Sequence, residues 1–336
     1  MSATTAGSYQ MPSATPALLP EEQADPIGKG LLVGGGILGV ASILFGFPGI
    51  LALVWMTMIL VGSIRTFGRS AAITGWGISA LVLYCLFPFL WLVRLSMDPA
   101  ANGKVLPSTF SLANYGAVLD NDEFVRAFFN SVIVAGSATA IAMLIGGAAA
   151  YALGRLPVPG KQYIMFAVLA VAMFPGISIV GPIFELWRTI GLFDTKTGLV
   201  LPNVTFALPM SIWIMSSFFR ELPRDLEHAA YMDGATPFQA FRKVMLPLAA
   251  PGVFTSAILV FINTWNEFLM AVSLSATSNS ITIPAAISFF QGENTLEIPV
   301  GPISAASVMV MLPLVAMVLV FQRRIVAGLT AGGVKG

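Results

Sequence analysis

The 336-residue sequence is poor in the groups that most proteins use for chemistry and for solubility. Its single cysteine, Cys85, excludes an internal disulfide framework and any cysteine-based metal cluster. Its single histidine, His228, excludes a site built from several imidazoles. Charged residues make up only 10% of the chain, against about 25% in soluble domains, whose surfaces need charge to stay in water. A net charge of +1 leaves no basic excess to neutralise phosphates, which argues against a nucleic-acid partner. No Gly-x-x-x-x-Gly-Lys-Ser/Thr phosphate loop is present, so this chain has no evident means of binding ATP itself.

What the sequence has instead is apolar length. Hydrophobic residues are 57% of the chain, and they come in runs that read as membrane-spanning helices. Residues 1–29 show no secretory signal peptide and read as a disordered, cytoplasmic Ser/Pro/Ala-rich tail. Gly30 to Ile64 holds no charge; as one helix it would be about 52 Å long, against a hydrocarbon core of roughly 30 Å. The Gly46-Phe-Pro-Gly49 break predicts a hairpin over 30–66, either two spans or a re-entrant pair. Six further spans are expected near 73–95, 130–153, 162–187, 198–219, 251–273 and 304–322, helical because a lipid-exposed span must satisfy its own backbone. The fold class is therefore an all-α polytopic membrane protein: a six-span core over 73–322 preceded by an extra N-terminal pair.

The few cations set a direction. The loops at 64–72, 154–161 and 220–250 and the tail 323–336 hold 11 of the 17 Lys and Arg residues, from Arg65 to Lys335. The alternate loops and span ends hold five: Arg94, Lys104, Arg126, Arg188 and Lys196. Basic residues favour the cytoplasmic side, so both termini are expected in the cytoplasm of a multi-pass cell-membrane protein.

One cytoplasmic loop, 220–250, is far richer in charge than any other. It reads as two short helices. Pro223 suits the first turn of one, and Gly234 suits the left-handed residue that ends it. Thr236-Pro-Phe-Gln239 is a capping box that starts the second, which Pro247 is expected to end. Ala229 and Ala230 leave a low-relief surface, while Phe238 and Phe241 give an apolar face. By composition this is an amphipathic hairpin lying on the membrane or on the protein's own base, or a surface for another protein.

Its spacing resembles the "EAA" loop of ABC-importer permeases: Glu-Ala-Ala, three residues, Gly, nine residues, Ile, one residue, Leu-Pro. Here Ala229-Ala230 is followed by Gly234 at the matching place, then Val244 and Leu246-Pro247. His228 stands where the motif has Glu, with Glu227 before it and Asp233 before the glycine. Asn130-Ser131, Ala149-Ala-Tyr-Ala-Leu-Gly-Arg155, Trp265-Asn-Glu-Phe-Leu269 and the tail from Phe321 are similar to the maltose-transporter second-permease group of carbohydrate importers, closest to actinobacterial trehalose-importer permeases. The resemblance covers about 73–336; residues 1–72 depart from it.

The resemblance implies a transport subunit that is not itself an enzyme. It implies a homologous second permease, an ATPase dimer that carries ATP and Mg, an extracytoplasmic sugar-binding lipoprotein and a sugar substrate, with no cofactor or metal in this chain. It implies that Glu227, His228, Ala229, Ala230, Asp233, Gly234, Leu246 and Pro247 couple to the ATPase, with Glu227 able to supply the docking carboxylate that His228 lacks. His228 is either a pH-sensitive group or a solvated bystander. The tail 323–336, flexible by composition, would lie between the ATPase subunits, and the external loops 96–129 and 274–303 would meet the binding protein.

Polar groups inside spans are candidates for the translocation path. Asn263, Asn266 and Glu267 sit at i, i+3 and i+4, one face of a continuing helix, with Trp265 adjacent. The alternative is that the asparagines are interhelical hydrogen bonders. Pro175-Gly176 and Gly181-Pro182 predict kinks in the span 162–187, either pathway-lining or structural. Trehalose is the expected sugar, with maltose or maltodextrin as the alternative. An ion-coupled secondary transporter is the competing class, against which stands the lack of an internal repeat or a charge pair within a span.

Overall fold

The computed structural model describes residues 27, 29–35, 37, 50–99, 109–290 and 299–331. The expected Gly46–Gly49 break, most of the 1–29 tail and the last five residues lie outside them. Every regular element among the described residues is helical. The chain divides into two units, 1–91 and 92–336. In the first, residues 29–35 are helical and lie against the next helix: a Cβ on Gly35 would sit 3.0 Å from Ile59 Cγ1. That next helix, α1 (Ile50–Ser96), is unbroken for 47 residues, about 70 Å. The loop expected at 64–72 is therefore absent. Arg65, Arg69 and Gly68 do not break a helix by themselves, and no proline lies between 50 and 87.

The second unit contains α2 (Ala113–Leu119), α3 (Asp122–Arg155), α4 (Lys161–Ala172), α5 (Ile177–Ile190) and α6 (Lys196–Glu221). The hairpin helices α7 (Arg224–Met232) and α8 (Pro237–Leu248) follow, then α9 (Ala250–Trp265), α10 (Leu269–Leu274), α11 (Ile283–Ser288) and α12 (Val300–Ala331). Among the described residues α3, α6 and α12 are each long and apolar enough to cross a bilayer, and the α4–α5 and α8–α9 pairs add two more if each bent pair is one span. The expected span at 162–187 is thus two helices bent by 87° around Pro175-Gly176. Pro182 lies inside α5 without breaking it, so one of the two expected kinks is absent. α3 starts at Asp122 rather than near 130, capped by the Asn121 side chain on the Phe124 N–H. α12 runs on to Ala331, so the first nine residues of the expected flexible tail are helical.

The core of this unit is the crossing of α3 on α6. Gly146 and Gly147 face Ser211 and Met215, and Gly154 faces Ser216 and Phe219; a Cβ on Gly146 would overlap Ser211 Oγ. Small residues let helices approach closely where lipid gives no hydrophobic drive to pack. α9 completes the bundle, with Gly252 beneath the Phe218 ring. Outward, Leu144, Phe166, Met173 and Val320 are more than 70% exposed, which suits acyl chains and no aqueous surface.

Candidate functional site

The α7–α8 hairpin closes the Arg155 end of the bundle. Its turn chemistry is as the local sequence predicts. Gly234 has φ +82°, and the Ala235 N–H donates to Ala230 O while the Gly234 N–H donates to Tyr231 O. Thr236 and Gln239 form the reciprocal capping box. Pro247 does not end α8. The helix absorbs it by widening to π geometry over Phe241–Met245, and the chain turns by 77° at Ala249 instead. A proline has no N–H and its ring crowds the carbonyl one turn back, which a wider turn relieves.

The hairpin is held by Phe241, Val244, Met245 and Leu246, which pack on Ala150, Tyr151, Met215 and Phe219. His228, Ala229, Asp233 and Pro247 are exposed, whereas Ala230 is buried at 7% and Phe238 is 68% exposed. Glu227 does not provide the exposed carboxylate expected of it. It is 7% exposed and points into the bundle, where Tyr151 Oη and Tyr231 Oη both donate to Oε1. Arg155 Nε lies 3.5 Å from Oε2, and Arg155 Nη2 donates to the Leu222 and Pro223 carbonyls. Burial, with the carboxylate it donates to, holds the Tyr231 hydroxyl above the ordinary tyrosine range. The period of α7 carries a sign of this: Glu227 and Ala230 lie three apart and share its inner face.

A second feature lies within the bundle. A cavity of about 590 Å³ opens between α4, α6 and the α9–α10 junction, lined by Phe174, Asn203, Phe206, Trp213, Asn263, Thr264, Glu267 and apolar neighbours. Of the expected pathway residues, Asn263 and Glu267 face it, and the Asn263 side chain makes no hydrogen bond among the described residues. The shared helical face of Asn263, Asn266 and Glu267 does not exist, because α9 ends at Trp265 with Asn266 as its cap. The Asn266 amide folds back onto Ile262 O. Glu267 instead caps α10, its two carboxylate oxygens accepting the Met270 and Ala271 N–H groups. Trp265 is 1% exposed, its ring against Phe128 and Phe261, and does not reach the cavity. Pro175 sits at the α4–α5 bend between Phe174 and Gly176, both in the cavity wall.

The opposite end of the bundle is tied by groups whose role the sequence did not reveal. Asn130 Nδ2 donates to Ser278 O and Ile281 O, and Ser131 Oγ accepts the Ile283 N–H, so this pair fastens the 278–283 loop to α3. Asp194, at φ +56°, accepts from the Ala276 and Thr277 N–H groups and from the Thr277 and Ser280 hydroxyls. Burial pushes this carboxyl up, but the hydrogen bonds from Thr277, Ala276 and Ser280 outweigh it and hold the group below its ordinary value of 3.8. A depressed folded-state value means that the stabilisation is complete above the unfolded value and is lost as pH falls through the folded one. Asp194→Ala should therefore cost about 1.5 kcal/mol at pH 7, the low end for bonds to a charged group, and the deficit should shrink as pH falls below 3.8. Thermal melts of the detergent-solubilised pair across pH 3–7 check this.

A bundle with lipid-facing apolar helices, a polar hairpin fastened under one end and a cavity between bent spans defines a subunit of a membrane transport system. The chain belongs to the family of binding-protein-dependent transport system inner membrane components, whose model matches residues 142–330. Trehalose transport system permease protein SugB of Mycobacterium tuberculosis is 51% identical over 268 residues, 78% of this chain and 98% of that protein. Trehalose/maltose transport system permease protein MalG of Thermococcus litoralis is 41% identical over 77% of this chain and 95% of its own length. In fold, the chain matches a subunit of a bacterial ABC transporter involved in import of the acidic polysaccharide alginate, with a TM-score of 0.63 at 23% identity over 76% of this chain and 98% of that one. The extended resemblance read from residues 73–336 is thus to the right family.

Proposed function

We propose that this chain is the permease subunit of an ATP-driven importer of a neutral disaccharide, with trehalose as its substrate. The observation that carries this is the 51% identity to a trehalose permease over 98% of that protein, and the exposed, charged α7–α8 hairpin supports it. The exposed surface of α7 and the following turn, including His228, Ala229 and Asp233, would seat on the ATPase dimer, which supplies all the ATP chemistry. A homologous second permease would complete the pathway, and an extracytoplasmic binding lipoprotein would deliver the sugar to the Asp194 end. The Lys and Arg residues of 154–161, 220–250 and 323–335 support placing the hairpin and the C-terminal end in the cytoplasm, while the continuous α1 removes the 64–72 loop on which a cytoplasmic N-terminus rested.

The cavity fits the chemistry of the cargo. Its free amide, Asn263, offers hydrogen bonds to hydroxyls, and the half-exposed Trp213 offers an aromatic face to sugar C–H groups. Glu267 is held in the cavity wall by the backbone N–H groups that donate to its two oxygens. Trp213→Ala should lower the uptake rate roughly tenfold, the loss expected when one aromatic contact worth about 1.4 kcal/mol is removed. Uptake of labelled trehalose by cells lacking the gene, complemented with wild type or variant, tests both the substrate and the cavity. Maltose competing as well as trehalose would favour the broader specificity named for the Thermococcus litoralis relative.

A further inference from the structure

The two segments that the sequence marks out separately, 149–155 and 227–234, meet in one buried cluster. Tyr151 is its hub. Its ring lies 4.9 Å from that of Phe241 on α8 and 5.7 Å from that of Phe219 on α6, while its hydroxyl donates to Glu227 on α7. One turn further on, Arg155 pairs with the same carboxylate and holds the carbonyls of the 222–223 link by which α7 hangs from α6. Both polar side-chain ties of α7 to the bundle among the described residues thus end on α3.

α3 is suited to carry motion. It runs unbroken for 34 residues, about 50 Å, without a proline. By contrast α6 contains Pro202 and Pro209, α12 contains Pro313, and the α4–α5 and α8–α9 pairs are sharply bent. At its far end, Asn130 and Ser131 grip the 278–283 loop. A displacement of the hairpin therefore has one stiff element to enter and one loop to move at the other end. The cluster also has a contact in reserve. Arg155 Nε is buried and makes no hydrogen bond here, while Glu227 Oε2 stands 3.5 Å away. An approach of about half an ångström would turn that ion pair into a charge-assisted hydrogen bond, so closer seating of the hairpin is rewarded.

We infer that Tyr151, Arg155, Glu227 and Tyr231 form the linkage that passes hairpin movement into α3, which makes Glu227 a positioning residue for coupling and not a docking group. The inference rests on the permease reading above. The test uses the complete transporter, assembled with its partner permease, ATPase and binding protein in proteoliposomes. The readout is sugar transported per ATP hydrolysed. Glu227→Gln removes the charge and keeps the size, while Tyr151→Phe removes one hydroxyl and keeps the ring packing. Each should lower the ratio roughly tenfold, the scale of one charge-assisted hydrogen bond, and the double variant should lower it no further than the worse single one. If hydrolysis and transport fall together with the yield of complex, so that the ratio holds in both variants, the linkage is only structural and the inference is overturned. A wild-type complex lacking sugar-dependent hydrolysis overturns the permease reading and the linkage with it. A normal wild type with unaltered variants overturns the linkage alone.

Discussion

Gly198→Ala depletes the protein from the membrane. Gly198 lies in the first turn of α6, where its N–H donates to the Thr195 side chain and its carbonyl accepts the Trp187 indole N–H at 2.7 Å. A methyl group there would overlap the Leu192 carbonyl oxygen and press on Trp187 Cδ1 at 3.0 Å. The obstacle is backbone, in a turn already fixed by Gly191 at φ +74° and by the Asp194 ties, so no side chain can swing aside. Overpacking at a site that cannot relax costs about 3 kcal/mol or more, a large share of the stability of an ordinary domain. Immunoblots of membrane fractions should show the band strongly reduced. Gly136→Ala, on the same bundle but with open space around it, should leave the band at the wild-type level.

Gly234→Val has a different signature: the chain reaches the membrane and uptake collapses. No atom lies within 4 Å of a Cβ placed on Gly234, so the obstacle is not a clash. It is the backbone at φ +82°, which a β-branched residue adopts only with strain of about 2 kcal/mol. Relieving it unwinds the α7–α8 turn and moves the face that carries His228 and Asp233 away from α8. Uptake should fall at least tenfold, taking about 1.4 kcal/mol per decade. Gly234→Asn, which tolerates the left-handed region, should retain most of it. Wild-type uptake in the valine variant at equal membrane abundance would show that the turn geometry is not needed for coupling.

The readable parts of this chain were those set by local rules. The spans α3, α6 and α12 follow from uninterrupted apolar runs, and the hairpin from a left-handed glycine and a capping box, both satisfied within a few residues. What could not be read depends on where a helix stops and what faces it. Nothing in Trp265-Asn-Glu-Phe-Leu269 is a helix breaker, yet α9 stops there because Glu267 finds the N–H groups of α10, so a face drawn for a continuing helix was not a real one. Glu227 looked like a partner's ligand because charge in a loop is usually solvated. Two of its partners, Tyr151 and Arg155, are more than 70 residues away in sequence. Asp194 is a single carboxyl in the short 191–195 link, and only the distant run 275–280 gives it a purpose.

The most direct measurement is ATP hydrolysis by the purified transporter, this chain included, in proteoliposomes supplied with the binding protein. Trehalose should stimulate hydrolysis severalfold over the sugar-free rate and accumulate inside the vesicles at a rate that tracks hydrolysis. If the chain purifies free of any ATPase when expressed with its neighbours, or if trehalose uptake follows an ion gradient and ignores ATP, the chain is not the permease of an ATP-driven sugar importer.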